Sequence, residues 1–103
     1  MAGKITSSTV LRKSAHSASR MVDGEAVVVH LKDGVVNVLN QTGSAAWELL
    51  DGRRSAAEIA AAIADRYDVA AGRALADTLE FLGEMTGMGL AEPARGSGIA
   101  DER

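Results

Sequence analysis

The sequence predicts an α+β domain, a three-stranded antiparallel sheet followed by three helices, on three observations. Up to Leu39 the apolar residues fall in short β-branched runs separated by Asp23-Gly24 and Lys32-Asp33-Gly34, residues suited to tight hairpin turns. Beyond Gln41 the apolar residues recur at helical spacing. Between the two regimes, Val35 to Ile59 packs a strand, a turn, a short helix with the only tryptophan, a Gly stop and a second helix start into one stretch.

Taken in order, residues 1–9 (MAGKITSST) are polar and expected to fray. Val10 to Arg20 carries three serines and little periodicity, which predicts an irregular first strand. Ala26 to Leu31 (AVVVHL) is the second strand and Val35 to Leu39 the third, the whole forming a meander. Asn40 or Thr42 can cap the first helix, Gly43 to Leu50, because either side chain can accept from the free N–H groups of its first turn. Such a short helix is not stable alone, so Trp47 must be held in a core. Asp51-Gly52 stops it, Gly supplying the left-handed residue past the last turn.

Ser55-Ala56-Ala57-Glu58 is a capping box that opens a second helix running to about Tyr67, with Ile59, Ile63 and Tyr67 as its buried stripe. A third helix is expected from Ala71 to Thr86. Its expected apolar face is Leu75, Leu79, Leu82 and Met85, flanked by Phe81, with Asp77, Glu80 and Glu84 as an acidic outer stripe. Gly87 ends it, Met88 and Leu90 fold back on the core, and Pro93 to Arg103 is a loose tail. The expected organisation is thus a tail (1–15), one domain (16–92) and a second tail (93–103).

At 103 residues one domain is the ceiling, with modest stability that a bound partner would raise by mass action. The absence of cysteine rules out disulfides and thiolate metal sites and fits the cytoplasm. No apolar run reaches membrane-spanning length, and none resembles a signal peptide. Residues 1–20 carry four bases and no acid, whereas residues 21–91 carry eleven acids against five bases. The acid-free, Ser- and Arg-bearing N-terminus faintly resembles a transit peptide but shows no amphipathic stripe. An acidic body argues against nucleic acid, which needs a basic face.

No catalytic constellation is visible. His16 and His30 are the only imidazoles, and neither has ligands at zinc-site spacing. No serine sits in a nucleophile elbow, and Gly43, Gly52, Gly87 and Gly89 match turns and caps rather than a phosphate loop. Surfaces remain. The third strand, Val35-Val36-Asn37-Val38-Leu39, carries no charge or proline to protect an edge. If it is an edge, it is either covered by the third helix or used to accept an extended peptide. The alternative is that Val36 and Val38 are ordinary core residues.

The residues Gly34-x-x-x-x-Leu39-Asn40-x-Thr42-Gly43-x-x-x-Trp47-x-Leu49-Leu50-Asp51-Gly52, then Ser55-x-x-Glu58-Ile59 and Gly89-Leu90, resemble the PqqD-like family, small peptide-binding domains also called RiPP recognition elements. The similarity covers about residues 16–92. It implies a winged-helix-like fold, no catalysis and no cofactor or metal. It further implies binding of the leader segment of a ribosomally made precursor peptide, which is presented to a modifying enzyme. That enzyme would be a radical SAM protein in PQQ biosynthesis or a leader peptidase in lasso-peptide pathways. By this resemblance the leader adds as a strand to the backbone of Val35, Val36, Asn37, Val38 and Leu39. Val36, Val38, Leu75, Thr78, Leu79 and Leu82 are then candidates for its groove, the strand face being set by a register not yet known. Where family members often carry an aromatic, this chain has Val35-Val36, which makes the groove shallower. The Gly43 and Trp47 forms lie closer to the stand-alone domains of lasso-peptide clusters. Two other classes compete: a winged-helix DNA-binding regulator, which the acidic third helix disfavours, and an edge-paired homodimeric scaffold.

Overall fold

A computed structural model describes residues 5–94 as β1 (Val10–Lys13), β2 (Ser17–Val22), β3 (Glu25–His30), β4 (Val36–Val38), α1 (Gln41–Glu48), β5 (Asp51–Ser55), α2 (Ala56–Tyr67), α3 (Ala71–Gly87) and β6 (Ala91–Pro93). The predicted meander is present as an antiparallel sheet in the order β2-β3-β4. Asp23 and Gly24 both take positive φ, 51° and 84°, the pair that matches the right-handed twist of flanking strands. They set Arg20 opposite Val27 and Met21 opposite Ala26. On the other side of β3, Val28 faces Asn37 and Val27 faces Val38.

A second three-stranded sheet, β5-β1-β6, lies outside what the sequence predicts. Its centre is Val10–Lys13, so the ordered fold begins before residue 16, where the sequence reading drew the tail boundary, and Pro93 closes β6 rather than opening a tail. Residues 1–4, and the loose tail expected from residue 95 onward, lie outside the described residues. The Val10–Arg20 run expected as one irregular first strand is divided between the sheets, β1 here and β2 in the meander, and local pattern gives no hint of β5 and β6. Asp51–Ser55 (DGRRS) has no apolar alternation, and Ala91–Pro93 contains a proline tolerated only because β6 is an edge. What holds them is tertiary. Leu11 and Leu90 are buried in the common core, the Ser14 N–H donates to the Leu90 carbonyl (2.9 Å) and its hydroxyl donates to the Gly89 carbonyl (2.8 Å).

The helices start and stop close to where the sequence places them. Asn40, of the two cap candidates, caps α1: its Oδ1 accepts from the Gly43 N–H at 2.7 Å. The box at α2 is complete, with Ser55 Oγ accepting from the Glu58 N–H and Glu58 Oε1 from the Ser55 N–H. Asp68, at φ 55°, closes α2 in the left-handed region. On α3 the fully buried residues are Ala74, Thr78, Leu82 and Met85, with Leu75 and Leu79 only half-buried. Leu82 and Met85 are buried as expected, but the inward stripe is rotated at its N-terminal half. Two small side chains, Ala74 and Thr78, take the place of Leu75 and Leu79 there.

One core joins both sheets to the helices, drawing on Leu11 of β1, Val28 of β3, Trp47 of α1, Ile59 of α2 and Leu82 of α3. Trp47 is 2% exposed. Its indole N–H donates to Ser19 Oγ on β2 at 3.0 Å, and the Lys13 ammonium of β1 lies 5.5 Å from the ring. The tryptophan thus ties the helix to both sheets.

Candidate functional site

Among the described residues β4 has one neighbour, β3, and is an edge of its sheet. The His30 N–H donates to the Val35 carbonyl and the Leu39 N–H to the Ala26 carbonyl, both at 2.9 Å. In an antiparallel ladder the bonded pairs alternate, so residues 35, 37 and 39 turn their backbone groups toward β3. The N–H and C=O of Val36 and Val38 therefore point away from the sheet. Among the described residues these four main-chain groups form a vacant margin, and neither proline nor charge in the strand blocks it.

The same register fixes the faces. Asn37 and Leu39 share the side of Val28 and Ala26, which are buried against the core. The side chains of Val36 and Val38 join Val27 and Val29 on the opposite face and are 56% and 63% exposed. Val35, in the turn before β4, is exposed as well. Of the five strand candidates, then, Val36 and Val38 offer backbone at the margin, while the side chains on the helix side are those of Asn37 and Leu39.

Ser44 sets where this margin ends. Its hydroxyl, 1% exposed, accepts from the Ala26 N–H at 2.7 Å and donates to the Leu39 carbonyl at 3.2 Å. This side chain thus takes the place of one ladder bond and turns the chain from β4 into α1.

Beyond that turn, starting at Asn40, lies a cleft of about 320 Å³. The start of α1 gives it Asn40, Thr42, Gly43 and Ala46; Ile63 of α2 and Val69 after it close one side. From α3 come Ala74, Asp77, Thr78, Phe81 and Glu84, a stripe at steps of three and four, together with Glu80. Gly43 is needed for the fit, since a Cβ there would lie 3.0 Å from Asn40 Oδ1 and 3.4 Å from the Phe81 ring. Of the helix residues expected in the groove, only Thr78 lines this cleft. Leu82 is buried in the core, Leu79 packs against the core, and Leu75 is half-buried elsewhere. Phe81 and the α1 residues were missed as lining. The acids predicted to form an outer stripe are exposed as expected and also line the cleft.

Thr78 is 4% exposed, and its hydroxyl makes no hydrogen bond with any described residue. Thr86, one helical stretch on, does donate to the carbonyl four residues back (Leu82, 2.8 Å). His16 and His30 stack at 6.5 Å, and His30 Nδ1 accepts from the Lys32 N–H at 3.3 Å. Among the described residues no three His, Cys, Asp or Glu side chains gather as a metal site, and no helix is long and apolar enough to cross a membrane.

A family model described as coenzyme PQQ synthesis protein D (PqqD) matches residues 25–91. No curated protein sequence matches the chain. Among solved structures, "TbiB1 in Complex with the TbiA(beta) Leader Peptide" is similar, with a TM-score of 0.73 and 31% identity, over 87% of this chain and 99% of that one. "Lasso peptide synthetase B1 complexed with the leader peptide" shares the fold, with a TM-score of 0.72 and 22% identity, over 81% of this chain and 98% of the other.

Proposed function

The chain belongs to the PqqD family, and from that premise we propose that it is a leader-peptide-binding chaperone of ribosomal-peptide modification. It takes up the leader segment of a precursor and holds it for a modifying enzyme. The observation that carries this reading is the likeness to TbiB1, matched over 99% of its own chain, whose structure contains a leader peptide. The vacant β4 margin supports it independently. An extended guest added there gains hydrogen bonds from the outward groups of Val36 and Val38. Its alternate side chains fall on the side of Asn37 and Leu39, toward the cleft.

The same reading makes the chain non-catalytic and cytoplasmic. The enzyme it serves is of the radical SAM or leader-peptidase kind, and a second copy pairing through β4 is the rival occupant of the margin. Val35 to Leu39 and Thr78 remain the proposed contacts. Leu75, Leu79 and Leu82 act behind them, by holding α3 in place. A DNA-binding role draws no support, since α3 brings three carboxylates to its accessible side.

The test is an NMR titration of the labelled protein. The probes are the TbiA leader peptide and the leaders of precursors encoded beside this chain's gene. Strand addition predicts the largest shifts at residues 35–39 and around the cleft. Tight binding that leaves those amides unmoved would show the margin to be the wrong surface.

A further inference from the structure

We propose that the cleft between α1 and α3 is a selectivity pocket for a basic side chain, Lys or Arg, of the guest segment. This rests on the leader-binding reading and adds to it the chemistry of one guest position. Three carboxylates, Asp77, Glu80 and Glu84, line the cleft, and no Lys or Arg does. Asp77 has a neighbour in Arg73, 3.5 Å away on an exposed turn. Glu80 and Glu84 have no ion-pair partner among the described residues.

The start of α1 offsets little of this charge. A helix N-terminus carries about half an elementary charge, and the Gly43 N–H is already given to Asn40. The cleft is therefore negative in net.

Its second feature is independent of that charge. Thr78 is a buried residue whose hydroxyl has no partner among the described residues, and it lines the same space; a buried polar group of this kind is rare unless something else satisfies it. Asn40 and Thr42 add polar groups at the α1 start, and the other walls are apolar: Ala46, Ile63, Val69, Ala74 and the Phe81 ring. A long basic side chain answers all three at once. Its methylene stem lies along the apolar walls, its cationic head meets the carboxylates and the ring face, and the Thr78 oxygen accepts from its N–H. An acidic guest residue is repelled. A purely apolar one would strip water from the carboxylates and leave Thr78 unpaired.

The test selects twelve-residue random peptides, displayed on phage, against the full chain. The selection is repeated against a Glu80→Gln/Glu84→Gln double variant and a Thr78→Val variant, with thermal melts to confirm that both fold. The expected result is a Lys or Arg fixed at one position of the wild-type winners. Replacing it by Leu should weaken binding about tenfold, the weight of two partly exposed charge pairs. The preference should vanish in the double Gln variant, and wild-type affinity should fall with added salt. Winners that shift the Val36–Val38 amides but carry no basic preference overturn the pocket and leave strand addition standing. So does a preference that survives Glu80→Gln/Glu84→Gln. Winners that bind without moving those amides overturn the leader-binding surface, and the pocket with it.

Discussion

Replacing Ser44 by Ala tests whether one hydroxyl sets the end of the guest-binding strand. The Ala26 N–H sits on a fully buried residue and has the Ser44 oxygen as its acceptor at 2.7 Å. Alanine leaves that donor unpaired, a loss of about 1–3 kcal/mol. The weaker 3.2 Å bond to the Leu39 carbonyl disappears as well, adding a fraction of that. Against this stands a gain of about 0.5 kcal/mol from alanine's better helix propensity in α1. The net expectation is a destabilisation of about 2 kcal/mol. For a domain of this size that lowers Tm by about 10 °C and removes a large part of a total stability of about 5–13 kcal/mol. Denaturant titration gives the energy, and hydrogen exchange gives the location: the Ala26 amide should exchange faster while amides in α2 follow global stability. Thr86→Ala is the control, since its hydroxyl only adds a bond to a helix carbonyl already served. If Ser44→Ala costs no more than that control, about 0.5 kcal/mol or less, the hydroxyl does not hold the β4–α1 turn.

Val38→Pro should abolish leader binding, measured by fluorescence anisotropy, with only a small drop in Tm, because it deletes an outward N–H that no described strand uses. Asn37→Pro should instead unfold the hairpin, since that N–H faces β3; comparable melts for the two would refute the assigned register. Gly43→Ala should lower Tm by loosening the Asn40 cap, worth about 1 kcal/mol, and should weaken binding by crowding Phe81, which calorimetry of the same peptide separates. The Asp51 carboxylate is held below the ordinary aspartate range, first by the Arg54 backbone N–H, then by the Arg53 N–H, and less by the Arg54 guanidinium. Its folded-state value lies below its unfolded one, so whatever stability it adds is complete above about pH 4. That part fades as pH falls through the lowered value. A carboxyl NMR titration of Asp51 with an ordinary or raised midpoint would contradict this geometry.

Local chemistry made much of the fold legible. Asp23-Gly24 marked a hairpin, Asn40 a cap, and Ser55 with Glu58 a capping box, because each signal acts within four residues of itself. The second sheet was illegible for the opposite reason. Leu11, Arg12 and Lys13 become a strand only by finding Asp51–Ser55 and Ala91–Pro93 far along the chain, and nothing in VLRK announces partners at that distance. The candidate site divides the same way. The unprotected composition of Val35–Leu39 pointed to the margin, but which side chains face the helices depended on register, and that placed Asn37 where valines had been expected. On α3 the leucines drew attention because they are large. The cleft is made by Ala74, Thr78 and Phe81 with three acids, and their stripe becomes visible only once the neighbouring α1 start is in place.

The position of Trp47 makes the protein its own reporter. The chain's one indole sits where α1 meets both sheets, held by Ser19 and overlain by Lys13, so its emission should jump to longer wavelength when either layer comes apart. Its neighbour Ala46, not Trp47 itself, is the residue turned to the cleft. An unmodified sample can therefore be followed through unfolding by fluorescence with or without a peptide lacking tryptophan, and stabilisation by that peptide read directly as a displaced transition.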